Sequence, residues 1–133
     1  MTSNAALRDR YRADSVQTMS PGRLIVALYN RLLLDLDRAM AALGIENVVA
    51  AHAALIHAQE IVGELHDSLD VDAWPPARQL ADIYVYVTSE LVAANLAKDA
   101  ARVYACKTII EPLRDAWQEA AGLVPDDPNA IVA

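Results

Sequence analysis

The stretch SPGRLIVALYNRLLLDLDRAMAALG, residues 20–44, decides the fold class of this chain. Ser20 and Pro21 supply a cap and a first-turn proline, the usual start of a helix, and Gly44 supplies a stop. Between them, apolar side chains repeat with a period of about 3.6 residues over roughly six turns. The repeating positions are Ile25, Leu28, Leu32, Leu36, Ala39 and Leu43. Charged and amide side chains fall on the opposite side, so the stretch is predicted to be an amphipathic helix.

The next two segments of the chain have the same helical period. Asn47 is a candidate cap for a second helix that runs to about Leu69. A Trp-Pro-Pro sequence at 74–76 is the clearest break in the chain, and a third helix is predicted over roughly 77–97. The run IYVYV at 83–87 is β-branched and aromatic, but the residues on both sides of it keep the helical period. We therefore predict a helix there as well.

A fourth helix is predicted from a cap at Asp99 to about Ala121, with Gly122 beyond it. Its apolar residues alternate in steps of three and four, which is the spacing of a helix seam in a bundle. These residues are Val103, Cys106, Ile110, Leu113, Trp117 and Ala120. Pro112 interrupts the seam, because proline cannot donate a backbone hydrogen bond to the preceding turn.

Four amphipathic helices of similar length with short connections can bury their apolar stripes together. The sequence therefore predicts an all-α protein, an antiparallel four-helix bundle formed by residues 20–122. Residues 1–19 lack a clear period and are predicted to be a flexible N-terminal segment. Residues 123–133 are rich in Pro and Asp and are predicted to be a disordered tail.

The composition excludes several classes of protein. A chain of 133 residues is sized for one domain. No stretch of about 20 residues lacks charged or strongly polar groups, and the N-terminus has no signal-peptide core, so membrane insertion is not expected. A net charge of -7 argues against nucleic acid, since phosphate binding needs a surplus of Lys and Arg. The single cysteine, Cys106, excludes an internal disulfide and fits a reducing compartment, so we expect a cytoplasmic protein.

The residue types that carry catalysis or metal binding are not grouped in this sequence. His52, His57 and His66 all fall on or near the second helix, and the first two point about 140° apart on a helix. They cannot chelate one metal from a single face, and no Glu-x-x-His pair of the di-iron type occurs. No phosphate-cradling glycine loop is present either. We therefore predict no metal, no cofactor and no enzymatic activity.

Several helices carry more apolar side chains than one core stripe requires. The extra residues are Leu24, Leu33, Leu34, Val85, Tyr86, Val92, Leu96 and Ile109. Bundle helices often bury three positions per heptad, so a wide core face explains any one of them. Together they indicate grooves that could receive another amphipathic helix. These extra apolar residues favour a protein that binds a partner helix. The alternative is a generic helical interaction module that homodimerises.

Four blocks of the sequence resemble the flagellar secretion chaperones of the FliS type. The first block is YRADSVQTMSPGRL at 11–24, followed by Leu-Tyr-Asn at 28–30. The second is LIHAQEIVGEL at 55–65, in which His57 stands where Lys is usual in the family. The third is LADIYVY at 80–86 with Leu91 and an Ala-Asn pair at 94–95. The fourth is LRDAWQEA at 113–120, so the resemblance extends in unbroken order over nearly the whole chain.

The resemblance implies a cytoplasmic export chaperone that binds the C-terminal helical segment of flagellin. Such a protein prevents premature polymerisation and delivers flagellin to the flagellar type III export apparatus, where a component of the export gate is a second partner. The free chaperone is expected to be a monomer or a weak homodimer. The resemblance also implies that the segment around Tyr11 acts as a mobile flap and in docking to the export gate. The candidate flagellin-binding residues are Ile25, Leu28, Tyr29, Leu55, Ile61, Tyr84, Tyr86, Leu91 and Asn95.

Overall fold

The computed structural model describes residues 21–122. They form four α-helices, α1 (Pro21–Gly44), α2 (Val48–Asp67), α3 (Pro76–Ala97) and α4 (Ala100–Ala120). The prediction of four helices is confirmed, and the run at 83–87 lies inside α3. The predictions for residues 1–19 and 123–133 lie outside the described residues.

The helices contact one another in the cyclic order α1, α2, α3, α4 and back to α1. The connections 45–47 and 98–99 are too short to run back along a helix, so each joins two antiparallel neighbours. The start of α1, the end of α2, the start of α3 and the end of α4 therefore share one end of the bundle. We call it the tryptophan end, because Trp74 and Trp117 pack there with ring centroids 6.2 Å apart. The opposite end is called the loop end.

Two of the three predicted side-chain caps are confirmed, and the third, Ser20, lies outside the described residues. Asn47 accepts a hydrogen bond from the Ala50 amide at 3.1 Å, and Asp99 accepts one from the Ala101 amide at 2.9 Å. The residue before each cap, Glu46 or Lys98, has a left-handed backbone with a positive φ. This conformation ends one helix and lets the next begin within two or three residues.

Helix α2 ends at Asp67, shortly before the predicted end at Leu69. The Ser68 hydroxyl donates to the Leu65 carbonyl at 2.7 Å, which satisfies an acceptor that the next helical turn would have used. Asp70 then accepts hydrogen bonds from the backbone amides of Asp72 and Ala73 at 3.1 and 3.2 Å. This local turn directs the chain across the tryptophan end toward α3.

The core follows the predicted apolar stripes and draws on all four helices. Each helix contributes fully enclosed side chains, among them Leu32, Leu36, Leu55, Ile61, Leu91 and Ile110. Among residues 21–122, three polar residues are also buried, Asp35, Glu64 and Gln118. Burial of an aspartate is costly unless it is paired, and Asp35 lies 2.5 Å from His57 Nδ1 through its Oδ2 atom. The bundle therefore contains a polar contact between α1 and α2 as well as its apolar core.

Candidate functional site

Most of the candidate binding residues lie in the core of the bundle. Six of them are buried, namely Leu28, Tyr29, Leu55, Ile61, Tyr84 and Leu91. These side chains contribute packing and give the helices their spacing, and direct contact with a partner stays a prediction for each. Ile25 and Asn95 are half-buried, and Tyr86 is 55% exposed. Tyr11 lies outside the described residues.

An open apolar groove runs between α3 and α4 from the tryptophan end. It encloses about 390 Å³ and is lined by Trp74, Leu80, Ile83, Leu113 and Trp117, among others. We call it the α3/α4 groove. Almost all of its lining surface is apolar, which is the character of a groove that receives the apolar face of a helix.

Tyr86 lies on the groove side of α3, nearer the middle of the bundle than the residues that line the α3/α4 groove. It is three residues after Ile83 and seven after Gln79, both of which line the groove, so all three share one side of α3. Farther along the same side, Glu90 forms an ion pair with Arg102 of α4 at 3.2 Å. The groove is therefore apolar near the tryptophan end and crossed by a salt bridge near the loop end.

A second cavity lies on the other side of the two tryptophans. It encloses about 380 Å³ and is lined by Leu24, Ile25 and Leu69 together with Trp74 and Trp117. The two tryptophans line both spaces, so the apolar surface continues around the tryptophan end from α4 to α1. Ile25 lines this second cavity, whereas Tyr86 lies on the side of α3 that carries Gln79 and Ile83 of the α3/α4 groove.

The remaining exposed apolar residues of α3 face α2 instead. Val85 lines a shallow pocket with Gly63 and His66 of α2, and Val92 is seven residues farther along the same side. Asn95 also lies between α2 and α3. Its side-chain amide donates to His52 Nδ1 at 2.9 Å and accepts from Lys98 Nζ at 2.6 Å. Asn95 thus links the two helices near the loop end.

Beneath the grooves, Tyr29 of α1 and Tyr84 of α3 share a hydrogen bond between their phenol groups. Their rings are 6.5 Å apart and tilted by 51°. Burial raises the pKa of both phenols above the ordinary value of 10.0, so both stay protonated and able to donate. The pair joins α1 to α3, and Tyr84 lines the second cavity together with Trp117.

Two features of the bundle are not predicted from the sequence. The sequence predicts Trp74 only as part of a chain break, whereas in the structure it lines both apolar cavities. A large aromatic residue beside two prolines was the signal that could have identified it. The contact between Asp35 and His57 joins residues of two different helices, and no pattern within either helix indicated it.

The described residues do not indicate other kinds of site. Within 21–122, no group of three His, Cys, Asp or Glu side chains is arranged to hold a metal ion. None of the four described helices is both long and apolar enough to cross a membrane.

Comparison with known proteins assigns the family. Residues 3–123 match the sequence model of the family described as "Flagellar protein FliS". The chain is also 31% identical over 110 residues to the "Flagellar secretion chaperone FliS" of Bacillus subtilis (strain 168). That alignment covers 83% of this chain and 82% of the relative. The chain therefore belongs to the FliS family of flagellar proteins.

Proposed function

We propose that this chain is a cytoplasmic secretion chaperone that binds the C-terminal helical segment of flagellin. It acts by binding and not by catalysis, and it prevents premature polymerisation before delivering flagellin to the type III export apparatus. The observation that carries this proposal is the open, apolar α3/α4 groove, with Trp74 at one end and the exposed Tyr86 beside it. Membership of the FliS family supports flagellin as the occupant.

The groove suits the apolar face of a partner helix. A helix laid between α3 and α4 would bury its own apolar residues against Ile83 and Leu113, while the Tyr86 phenol stays at the wet rim. Apolar residues covered in this way cannot pair with other flagellin subunits. Ordering a disordered segment costs about 2–5 kcal/mol of the gross interaction energy, so the complex stays weak enough to release its cargo at the export gate.

The nine candidate residues divide into two roles under this proposal. Ile25, Tyr86 and Asn95 are the positions that reach the surface, and the six buried residues pack the four helices against one another. The segment around Tyr11 is proposed to act in docking to the export gate. The free protein is proposed to be a monomer or a weak homodimer, which sedimentation analysis of the purified chain measures directly.

The location of the binding site is tested with a matched pair of variants. Tyr86→Glu places a charge beside the α3/α4 groove, and Tyr104→Glu makes the same change on the outer side of α4. The two tyrosines are similarly exposed, at 55% and 58%. Tyr104 is two residues from Arg102, which faces α3, so it points about 200° away from that side.

We expect Tyr86→Glu to weaken binding of the cognate flagellin C-terminal fragment by about tenfold or more. Tyr104→Glu should bind like the wild type, and both variants should retain the helical circular dichroism signal. Equal affinities for the two variants would rule out the α3/α4 groove as the site. Loss of helical signal in Tyr86→Glu alone would show that Tyr86 supports the fold instead.

A further inference from the structure

The side of the bundle opposite the α3/α4 groove carries a separate cleft between α1 and α2. It encloses about 660 Å³, more than the α3/α4 groove. We call it the α1/α2 cleft. Its walls are formed by short side chains, including Ala41 on α1 and Ala50 and Ala53 on α2. Short side chains let the backbone of a third helix approach closely, and the cyclic order of the helices places this cleft away from the proposed flagellin site.

Two arginines of α1 line one edge of the cleft. Arg31 and Arg38 are seven residues apart, so they lie on one side of α1 about two turns, or roughly 10.5 Å, from each other. Arg31 is partly held by the buried Asp35, with 3.6 Å between Arg31 Nε and Asp35 Oδ1, but its side chain remains 37% exposed. Arg38 is exposed. The cleft thus has a positive edge on a protein whose net charge is -7.

The apolar character of the cleft continues to the loop end. Ile45 lines the cleft and is 76% exposed, and Val49 beyond it is 79% exposed. From Arg31 to Ile45 the α1 side spans about 21 Å, at roughly 1.5 Å per residue. That length matches about four turns of a partner helix lying along the cleft.

We propose that the α1/α2 cleft binds an acidic amphipathic helix of another protein. The apolar face of that helix lies on the alanine walls and on Ile45. Two carboxylates spaced seven residues apart on its edge face Arg31 and Arg38. Charge complementarity selects the acidic partner, because a basic helix would meet both arginines with like charge. The cleft and the α3/α4 groove lie on opposite sides, so one bundle can hold both helices at once.

The test uses a stapled helical peptide of about 15 residues with Leu on one face and two Glu residues seven apart. The control peptide has Lys in place of both Glu residues. Fluorescence polarisation measures affinity for the full-length protein, and backbone amide shifts map the contact. We expect saturable binding of the Glu peptide, about tenfold weaker binding of the Lys peptide, and shifts at Ala50 and Ala53.

Three variants complete the test. Arg38→Glu should weaken binding of the Glu peptide by about tenfold, and Arg78→Glu should leave it unchanged although both variants alter the net charge equally. Arg78 lies on α3, where its side chain is 73% exposed. Ala53→Gln narrows the cleft without changing charge and should also weaken binding. Failure of the Glu peptide to bind, equal binding of both peptides, or shifts confined to α3 and α4 would each overturn the proposal.

Discussion

Tyr29 of α1 and Tyr84 of α3 share a hydrogen bond between their phenol groups inside the bundle, although they are 55 residues apart in the chain. Both are almost fully enclosed, at 0% and 2% exposure. In the unfolded chain each hydroxyl can bond to water, but inside the bundle its partner is the other hydroxyl. Removing one hydroxyl therefore leaves the other buried without a hydrogen bond, and the two stabilise the fold as a pair. Tyr84 also lines the second cavity with Trp74 and Trp117, so the pair supports the tryptophan end of the bundle.

Replacing both tyrosines of this pair should destabilise the protein by less than the sum of the two single replacements. Tyr29→Phe leaves the Tyr84 hydroxyl buried without this bond and should lower the free energy of unfolding by about 1–3 kcal/mol. Tyr84→Phe should have a similar cost, because it leaves the Tyr29 hydroxyl buried without this bond. The double variant should be destabilised by less than the sum of the two single costs. Urea denaturation of all three variants measures this, and strictly additive costs would contradict the account.

The stability of the bundle should depend on the protonation of Asp35. Burial raises the pKa of its carboxyl above the ordinary value of 3.8, against the opposing effects of His57, Arg31 and Arg38. The folded state therefore holds this proton to a higher pH than the unfolded state does. The contribution of the Asp35 proton to the free energy of unfolding is fully present below pH 3.8. It is lost as the pH rises through the folded-state pKa of Asp35.

This pH dependence is measured best in a background without the neighbouring histidine. The free energy of unfolding of His57→Gln is compared with that of Asp35→Asn/His57→Gln across the acidic range. Relative to the double variant, the single variant should lose stability as the pH rises above 3.8. If the stability of the single variant relative to the double variant does not change with pH, or rises with pH, burial is not the largest influence on the pKa of Asp35.

Cys106 should be unreactive in the folded protein. Burial, with a further contribution from the charge of Glu90, raises the pKa of its thiol to about 11. At pH 8 only about one thiol in a thousand is then ionised, and the side chain is enclosed as well. Iodoacetamide should therefore modify Cys106 only when the bundle opens, and one equivalent should react in urea. Labelling of the native protein at the rate of a free thiol would contradict this packing.

Pro112→Ala should stabilise the bundle. Helix α4 continues from Ala100 to Ala120 through an exposed proline that cannot donate to the carbonyl of Thr108. Alanine restores that donor and has a higher helix propensity than proline. It also makes the unfolded chain more flexible, which favours unfolding, but this effect is smaller. The free energy of unfolding should therefore rise by about 1–2 kcal/mol. Thermal and urea unfolding measure the change. A lower stability in the variant would mean that the surrounding packing depends on the proline.

The sequence was sufficient for the fold because local signals agreed with the global pattern. Asn47 and Asp99 were identified as caps from residue type and position, and both make the expected hydrogen bonds. The helix predicted across the β-branched run at 83–87 is confirmed, since Tyr84 and Val87 continue the buried stripe formed by Leu80 and Leu91. The helical period of the apolar residues outweighs the strand propensity of the β-branched residues in this run. The reason is that burial of one helix face in the core contributes more than local propensity.

The site was predicted less well, because exposure depends on how helices pack and not on each stripe alone. Tyr84 and Tyr86 look equivalent in the sequence, but a difference of two residues turns them about 160° apart, one into the core and one into solvent. Asp35 follows a run of leucines on α1 and is buried in contact with His57 of α2. Predicting such a contact requires the relative positions of two helices, and the pattern of residues within one helix does not give them.

The central claim is that the chain binds the C-terminal helical segment of flagellin, and calorimetric titration tests it most directly. The purified chain is titrated with the C-terminal helical fragment of the cognate flagellin and, separately, with flagellin that lacks this fragment. We predict saturable one-to-one binding of the fragment and no heat of binding from the truncated protein. Binding of neither, or equal binding of both, would contradict the account.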